Sequence, residues 1–475
     1  MAFNSLAFAL FLPIVFALYW LLPRKALRQN LLLLVASYWF YAWWSYKFLL
    51  LLVASSTITY LLARRLEKTE LGAGRRMLLW TSLAVNLGVL VLFKYLGFFV
   101  NSFIALLKTF GLHADPLTLK LILPLGLSYY TFQMAGYTID VYRKQVPAVG
   151  NLITFLLFTG FFPKIVAGPI ERASHLVPQL QNDRGFQMEQ AKDGLRQMLW
   201  GFFKKVVIAD NLAAHVNYIY GNYSNLDGAT IFVGTFLFAI QIYCDFSGYS
   251  DIAIGTAHLF GIDLMQNFAS PYFARDIAEF WRRWHISLST WFRDYVFFPL
   301  GSLRKGKLIA VRNIVITFTL SGLWHGAAWT YVGWGSLHGI YFIPQMIKGP
   351  RRQTAQIAQG RLLPNLTELR RMLVTFLLVM FGWVFFRADS LRQATGLLTQ
   401  MVRRPWVGIS HGTYLPVLAV CGGLLAWEWW QRARPHALDI ARLPALVRWA
   451  TYYFIVILIF WYGVTSNVPF IYVKF

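Results

Sequence analysis

Two histidines in apolar surroundings are the residues of this sequence best suited to chemistry. His325 lies in Leu320-Ser321-Gly322-Leu323-Trp324-His325-Gly326-Ala327-Ala328-Trp329, within an apolar run that begins near Ile309. An imidazole titrates near neutrality, so it can take the proton of an attacking hydroxyl as a general base. An ionisable side chain at membrane depth is costly and marks a functional site by default. The small neighbours Gly322, Gly326 and Ala327 leave room for a substrate beside the ring. The competing reading is a packed histidine bonded to a backbone carbonyl. His285 is crowded by Arg282, Arg283, Trp284 and Arg293. Such a cluster is either an interfacial belt or a mouth for an anionic donor, such as the phosphates of coenzyme A or of a phosphopantetheine arm.

Other polar residues interrupt the same region. Asp245-Phe246-Ser247-Gly248-Tyr249-Ser250-Asp251 brings two carboxylates into an apolar stretch. They read as a proton path, as helix caps assisted by Ser247 and Ser250, or as partners of an arginine such as Arg282. Phe162-Pro163-Lys164 and Gly168-Pro169 break a helix, as a cavity-lining loop does. His338, His258 and His215 read as packed residues, and Cys244 and Cys421 as small core residues. The sequence contains no zinc spacing and none of the common phosphate-loop or hydrolase-elbow motifs, so no metal ligands are assigned.

These residues need a scaffold, and composition says which kind. Of 475 residues, 57% are apolar and 13% charged, against about 25% charged in soluble domains. Mean hydropathy is +0.50. The chain therefore reads as an all-α polytopic membrane protein, which excludes soluble superfolds and disorder. The net charge of +24 would suggest nucleic acid in a soluble protein. Here it reflects Lys and Arg retained in cytoplasmic loops, and no nucleic-acid partner is expected. Arg64-Arg65, Arg75-Arg76, Arg351-Arg352 and Arg370-Arg371 border apolar stretches, which makes anionic membrane lipids their expected partners.

The first apolar segment, 5–22, is followed by Arg24, Lys25 and Arg28 rather than preceded by charge. That order predicts an uncleaved helix ending in the cytoplasm. Further spans are expected near 30–44, 47–63, 77–93, 121–141, 151–168, 196–210, 229–260, 309–331, 332–347, 372–387, 412–430 and 447–464. This gives about 11 to 13 membrane-embedded helices in one domain covering 1–475. The run 229–260 is too long for one span and is expected to divide, while 95–110 reads as a span or an interfacial helix. Residues 387–404, with Arg387, Arg392, Arg403 and Arg404, read as an amphipathic surface helix. His325 falls mid-run, about 24 Å along a helix from Ile309. Reaching it requires a tunnel lined by broken helices near Pro163, Gly168-Pro169 and Gly248, with Leu320, Gly322 and Ala327 at its wall.

Taken together, Gly168-Pro169, Asp245-Phe246-Ser247-Gly248-Tyr249-Ser250-Asp251, Trp284-His285-Ile286-Ser287 and Trp324-His325-Gly326 resemble, in order, the membrane-bound O-acyltransferase family. The set is most similar to its bacterial branch, the alginate O-acetyltransferase membrane subunits. Phe40-Tyr41-Ala42-Trp43-Trp44 and Pro469-Phe470-Ile471-Tyr472 extend the resemblance to nearly the whole chain. The resemblance implies tilted helices around a thin core, with a central tunnel formed by funnels from both faces. It places the catalytic roles on His325 and His285. The expected donor or tunnel lining is Trp324, Gly322, Gly326, Trp284, Arg282, Arg283, Arg293, Asp245, Asp251 and Ser247. No bound cofactor is implied. The donor substrate is acetyl-CoA or another acyl thioester. The partners are a periplasmic or membrane-anchored esterase-like acetyltransferase and a polysaccharide acceptor, at the bacterial inner membrane.

The expected function is transfer of acetyl across that membrane for O-acetylation of an alginate-like exopolysaccharide. The ending Val473-Lys474-Phe475 departs from the common Phe-Gln-Phe, so cellulose and peptidoglycan stay open as polymers. A proton-coupled transporter using His325, Asp245 and Asp251 and a lipid acyltransferase within the bilayer are the competing functions. The lack of an internal repeat weighs against transport.

Overall fold

The computed structural model describes residues 1–112, 121–301, 306–349, 356–406, 411–464 and 470. Arg351-Arg352 and the tail motif, Phe470 excepted, lie outside the described residues. Regular structure among the described residues is entirely helical. Among the described residues, six helices are long and apolar enough to cross a membrane: Tyr46–Lys68, Ala73–Thr109, Gly228–Leu259, Lys307–His325, Leu366–Arg387 and Ala445–Tyr462. The first helix, Leu6–Leu21, is apolar but shorter.

Gly228–Leu259 is one continuous helix of 32 residues, about 48 Å long, not the two pieces expected. Its most apolar stretch is 89% buried inside the protein, so protein packing rather than bilayer thickness sets its length. Gly248 is therefore no break. It is a contact point with a second long helix that runs through residues 188–221 as Met188–Phe202, a π-helical stretch Phe203–Ala209, and Asp210–Gly221. Hydropathy picked out only the middle of this second helix, because Glu189, Lys192, Asp193 and Arg196 charge its start. A Cβ on Gly201 would lie 2.6 Å from Gly248 O, and one on Gly248 would lie 2.8 Å from Gly201 O. Gly194 and Gly255 make the same kind of approach one heptad away, with a Gly194 Cβ 2.5 Å from Gly255 O. Small residues let helix backbones come this close in a membrane.

A second close pair is the hairpin of Lys307–His325 and Trp329–Lys348. The turn falls at 326–328, earlier than the run 309–331 implied, because Gly326 packs under the Tyr331 ring where a Cβ would clash. His325 thus ends its helix instead of sitting mid-span. It lies 18 residues beyond Lys307, about 27 Å along the axis.

The expected break near Pro163 and Gly168-Pro169 is present. Helix Leu152–Gly160 stops, and the following segment to Pro169 is buried without helical order. Its backbone finds internal partners, as membrane depth demands: Phe162 N–H donates to Ser37 Oγ and Ile170 N–H to Ser287 Oγ, both at 3.0 Å. Residues 95–110 continue Ala73–Leu90 through a π-helical turn, and Leu391–Arg403 forms the separate amphipathic helix expected, burying Ala394 and Leu397. One expected lipid contact is corrected. Arg75 is buried and donates to the carbonyls of Leu66, Thr69, Val141 and Tyr142, closing a helix end rather than meeting head groups.

Candidate functional site

His285 and His325 stand side by side in the interior, with ring centroids 6.3 Å apart. Both are buried. His285 takes a left-handed backbone conformation (φ +44°) just before helix Ile286–Phe292. Its Nδ1 lies 3.1 Å from Asn267 Oδ1, which also accepts from Ser287 N–H at 3.3 Å and Ser287 Oγ at 3.0 Å. Because that oxygen can only accept, Nδ1 carries the proton and Nε2 is the basic nitrogen. Asn267 in turn donates to Ser250 Oγ at 3.3 Å, and Phe246 sets its ring edge on His285 at 4.6 Å. The motif 245–251 therefore reaches this site through Phe246 and Ser250.

His325 packs against Trp324 and Trp334, each 5.0 Å between centroids, and Phe386 at 5.4 Å. One cavity borders it and a second lies along the same helix. One, about 60 Å³, is bordered by His325 itself with Trp324, Lys94, Tyr129 and Val166. Val166 belongs to the broken segment after Gly160. The other, about 490 Å³, runs beside Ile314, Thr317, Phe318 and Ser321 and has Arg282 and Arg293 on its wall. Those four positions share one helix face, and the next turn of that face carries Trp324 and His325.

Of the three arginines expected at one mouth, only Arg282 and Arg293 share this cavity. Arg283 is held apart by Glu279 at 3.0 Å and Ala269 O at 3.1 Å. Trp284 borders neither of these two cavities. It is fully buried among Phe268, Phe280 and Trp383. Gly322 and Gly326 face the returning helix, where a Cβ on Gly322 would strike Tyr331 O, and Leu320 is 43% exposed on the outer surface.

The carboxylates and Ser247 pin two lysines. Lys205 pairs with Asp245 at 2.7 Å and Asp210 at 2.8 Å, while Lys204 pairs with Asp251 and donates to Ser247 Oγ, both at 2.7 Å. Adjacent lysines leave their helix in diverging directions, so each can take one acid of the widely spaced pair. Arg282 is not their partner. Asp251 and Lys204 do border a cavity, of about 320 Å³ with Tyr243, Glu428 and Arg434, but not the one that His325 borders.

Sequence reasoning passed over Lys94, Lys204, Lys205 and Asn267. The lysines carried a usable signal, since each interrupts an apolar run. Asn267 carried none, because its role depends on a loop folding back onto His285. Lys94 Nζ donates to Trp324 O at 2.6 Å and Ser128 Oγ at 3.2 Å, with His325 O at 3.4 Å.

Comparison with known proteins places this arrangement. Residues 10–383 match the model of the membrane-bound O-acyltransferase family. The chain is 40% identical over 427 residues to the probable alginate O-acetylase AlgI of Pseudomonas aeruginosa, covering 87% of this chain and 79% of that protein. It is 35% identical over 430 residues to the peptidoglycan O-acetyltransferase of Helicobacter pylori, covering 84% and 79%. A teichoic acid D-alanyltransferase of Streptococcus thermophilus is 31% identical over 262 residues, covering 51% of this chain and 62% of that protein.

Proposed function

The chain belongs to the membrane-bound O-acyltransferase family, and from that premise we propose that it moves acetyl from a thioester donor to a hydroxyl serving a cell-envelope polymer. The observation that carries this reading is the buried pair His285 and His325, of which His325 borders a cavity of only about 60 Å³, a space suited to a short acyl group. The relatives named for alginate and peptidoglycan O-acetylation support a polymer acceptor, with alginate favoured by the higher identity.

In this reading acetyl-CoA or another acyl thioester approaches along the larger cavity, where Arg282 and Arg293 favour an anionic carrier. The acceptor hydroxyl, on an esterase-like partner or on the polymer, enters from the opposite side of the inner membrane. His325 removes the hydroxyl proton as the oxygen attacks the carbonyl carbon. The carbonyl electron pair moves onto its oxygen. When the tetrahedral adduct collapses, the C–S bond breaks and the thiolate takes the proton from the imidazolium. His285, held by Asn267, orients the acyl group and supports its neighbour through Nε2.

The test uses the purified full chain with an esterase-like partner and labelled acetyl-CoA. Label should reach the partner or the polymer with wild type and not with His325→Ala. Equal labelling by both proteins would defeat the assignment.

A further inference from the structure

Lys94 is a lysine in the middle of the apolar helix Ala73–Thr109, and it reaches the end of the helix that carries His325. A cation at membrane depth needs strong reasons to be there. Part of the reason is local. The last carbonyls of a helix lack partners and sit at the negative end of its dipole, and Lys94 Nζ takes Trp324 O at 2.6 Å. The ammonium also lies 5.6 Å from the centre of the Trp324 ring. Capping alone does not use all of it. An ammonium has three donors. Trp324 O and Ser128 Oγ hold two of them, whereas the third contact, His325 O at 3.4 Å, is beyond the usual hydrogen-bond range. The same residue borders the small cavity with His325.

We propose that Lys94 is a further catalytic residue, donating to the acyl carbonyl oxygen as negative charge develops there during transfer at His325. This rests on the acyl-transfer reading above. In the attack step the C–O bond forms and the carbonyl electron pair becomes an oxyanion. The weakly held N–H of Lys94 turns to that oxygen, and it returns to His325 O when the C–S bond breaks and the carbonyl re-forms. Preorganised donors in a water-poor site act strongly on such charge. A small cavity bounded by Trp324, Tyr129 and Val166 keeps the carbonyl close to both Nζ and the imidazole.

The experiment compares Lys94→Met, Lys94→Gln, Lys94→Arg and His325→Ala in the purified full-length protein, with labelled acetyl-CoA as donor. Lys94→Gln keeps a neutral amide donor on a side chain one bond shorter and removes the charge, so a loss with Gln that Arg recovers assigns the effect to the cationic donor. Lys94→Met and Lys94→Gln should lower kcat about 10²- to 10³-fold, with donor and acceptor KM nearly unchanged. Lys94→Arg should recover most of that loss. If Lys94→Met proves unstable, Lys94→Gln alone decides the matter. A Lys94→Gln enzyme with near-wild-type kcat, or a Lys94→Arg enzyme as slow as Lys94→Gln, overturns the proposal. Should His325→Ala be inactive while Lys94→Gln is active, the lysine assignment falls and the acyl-transfer reading stands. Should His325→Ala itself be active, the acyl-transfer reading falls first.

Discussion

The molecule is built around two glycine-spaced helix pairs that bury polar residues in different ways. Where the helix through 188–221 crosses Gly228–Leu259, each buried lysine meets a carboxylate: Lys204 with Asp251, Lys205 with Asp245 and Asp210. Around the hairpin that carries His325, Lys94 meets carbonyls, His285 an amide and His325 aromatic rings instead. Paired charges cancel and hold a position. A cation placed against carbonyls and a hydroxyl beside a cavity still has field to offer a reacting group. Equal depth in the fold therefore does not mean equal role, and the partner decides which buried residue is structural.

The largest effect should separate the two pairs outright. His325→Ala is expected to lower acetyl transfer about 10²- to 10⁴-fold while leaving the gel-filtration profile of the purified protein unchanged. A loss of folded protein instead would mean that the histidine belongs with the structural group. Lys205→Met should do the reverse. It removes the cation that Asp245 and Asp210 share in the interior and should cost about 3–5 kcal/mol, visible as a lowered melting temperature. Converting both acids to Asn in that background should restore much of the stability. Failure to do so would show that Lys205 acts through something other than these two acids.

How much of this was legible in the sequence depends on what each residue needed from the rest of the chain. The histidines, the broken segment near Pro163 and the amphipathic stretch after Arg387 stand out locally; the break and the amphipathic helix fall where expected, whereas His325 ends its helix rather than sitting mid-span. The division of 229–260 was misjudged because a hydropathy window assumes lipid outside, whereas this helix is enclosed by protein. The carboxylates of 245–251 were read as chemistry or caps because their partners, Lys204 and Lys205, lie some 40 residues earlier on another helix. Gly322 and Gly326 sit next to His325 in sequence, yet the helix turns them toward Tyr331. Adjacency along the chain was mistaken for adjacency in space.

The glycine contacts should be sensitive in both pairs. Gly322→Ala and Gly248→Ala each place a Cβ against backbone that cannot swing away, and overpacking of this kind costs about 1–3 kcal/mol. Gly422→Ala, which meets nothing within 4 Å, serves as the control in the same melting experiment. Equal tolerance at all three positions would mean that the helix crossings are looser than they look.

A smaller effect concerns the proposed donor route along the larger cavity. Neutralising Arg282 or Arg293 with Gln should raise donor KM more than it lowers kcat, whereas Arg283→Gln, whose partner is Glu279, should act on stability. A donor KM unmoved by either of the first two changes would take the larger cavity out of the donor path.

The smallest effect lies beyond the end of Gly228–Leu259, outside the membrane-spanning segments. Asp263 and Glu171 beside His175 push its imidazole up to about 10. A raised pKa means the folded state favours the charged form. Its contribution is complete below about 6.5, the value for an unperturbed histidine, and is lost as pH rises through about 10. Melting temperature should therefore fall across that alkaline range, and His175→Asn should flatten the slope. An unchanged slope would assign the pH dependence to other groups.

The close crossings at Gly194, Gly201, Gly248 and Gly255, with Gly322 and Gly335 in the hairpin, also constrain how this gene can drift. Every amino acid reachable from a glycine codon by one base change carries a Cβ. At these six sites the genetic code offers no harmless missense step, whatever the base altered. A saturation library should read them as silent-only positions, forming two stripes seven residues apart in each helix of the first pair and a third stripe in the hairpin. That pattern would reveal both helix crossings from sequencing counts alone.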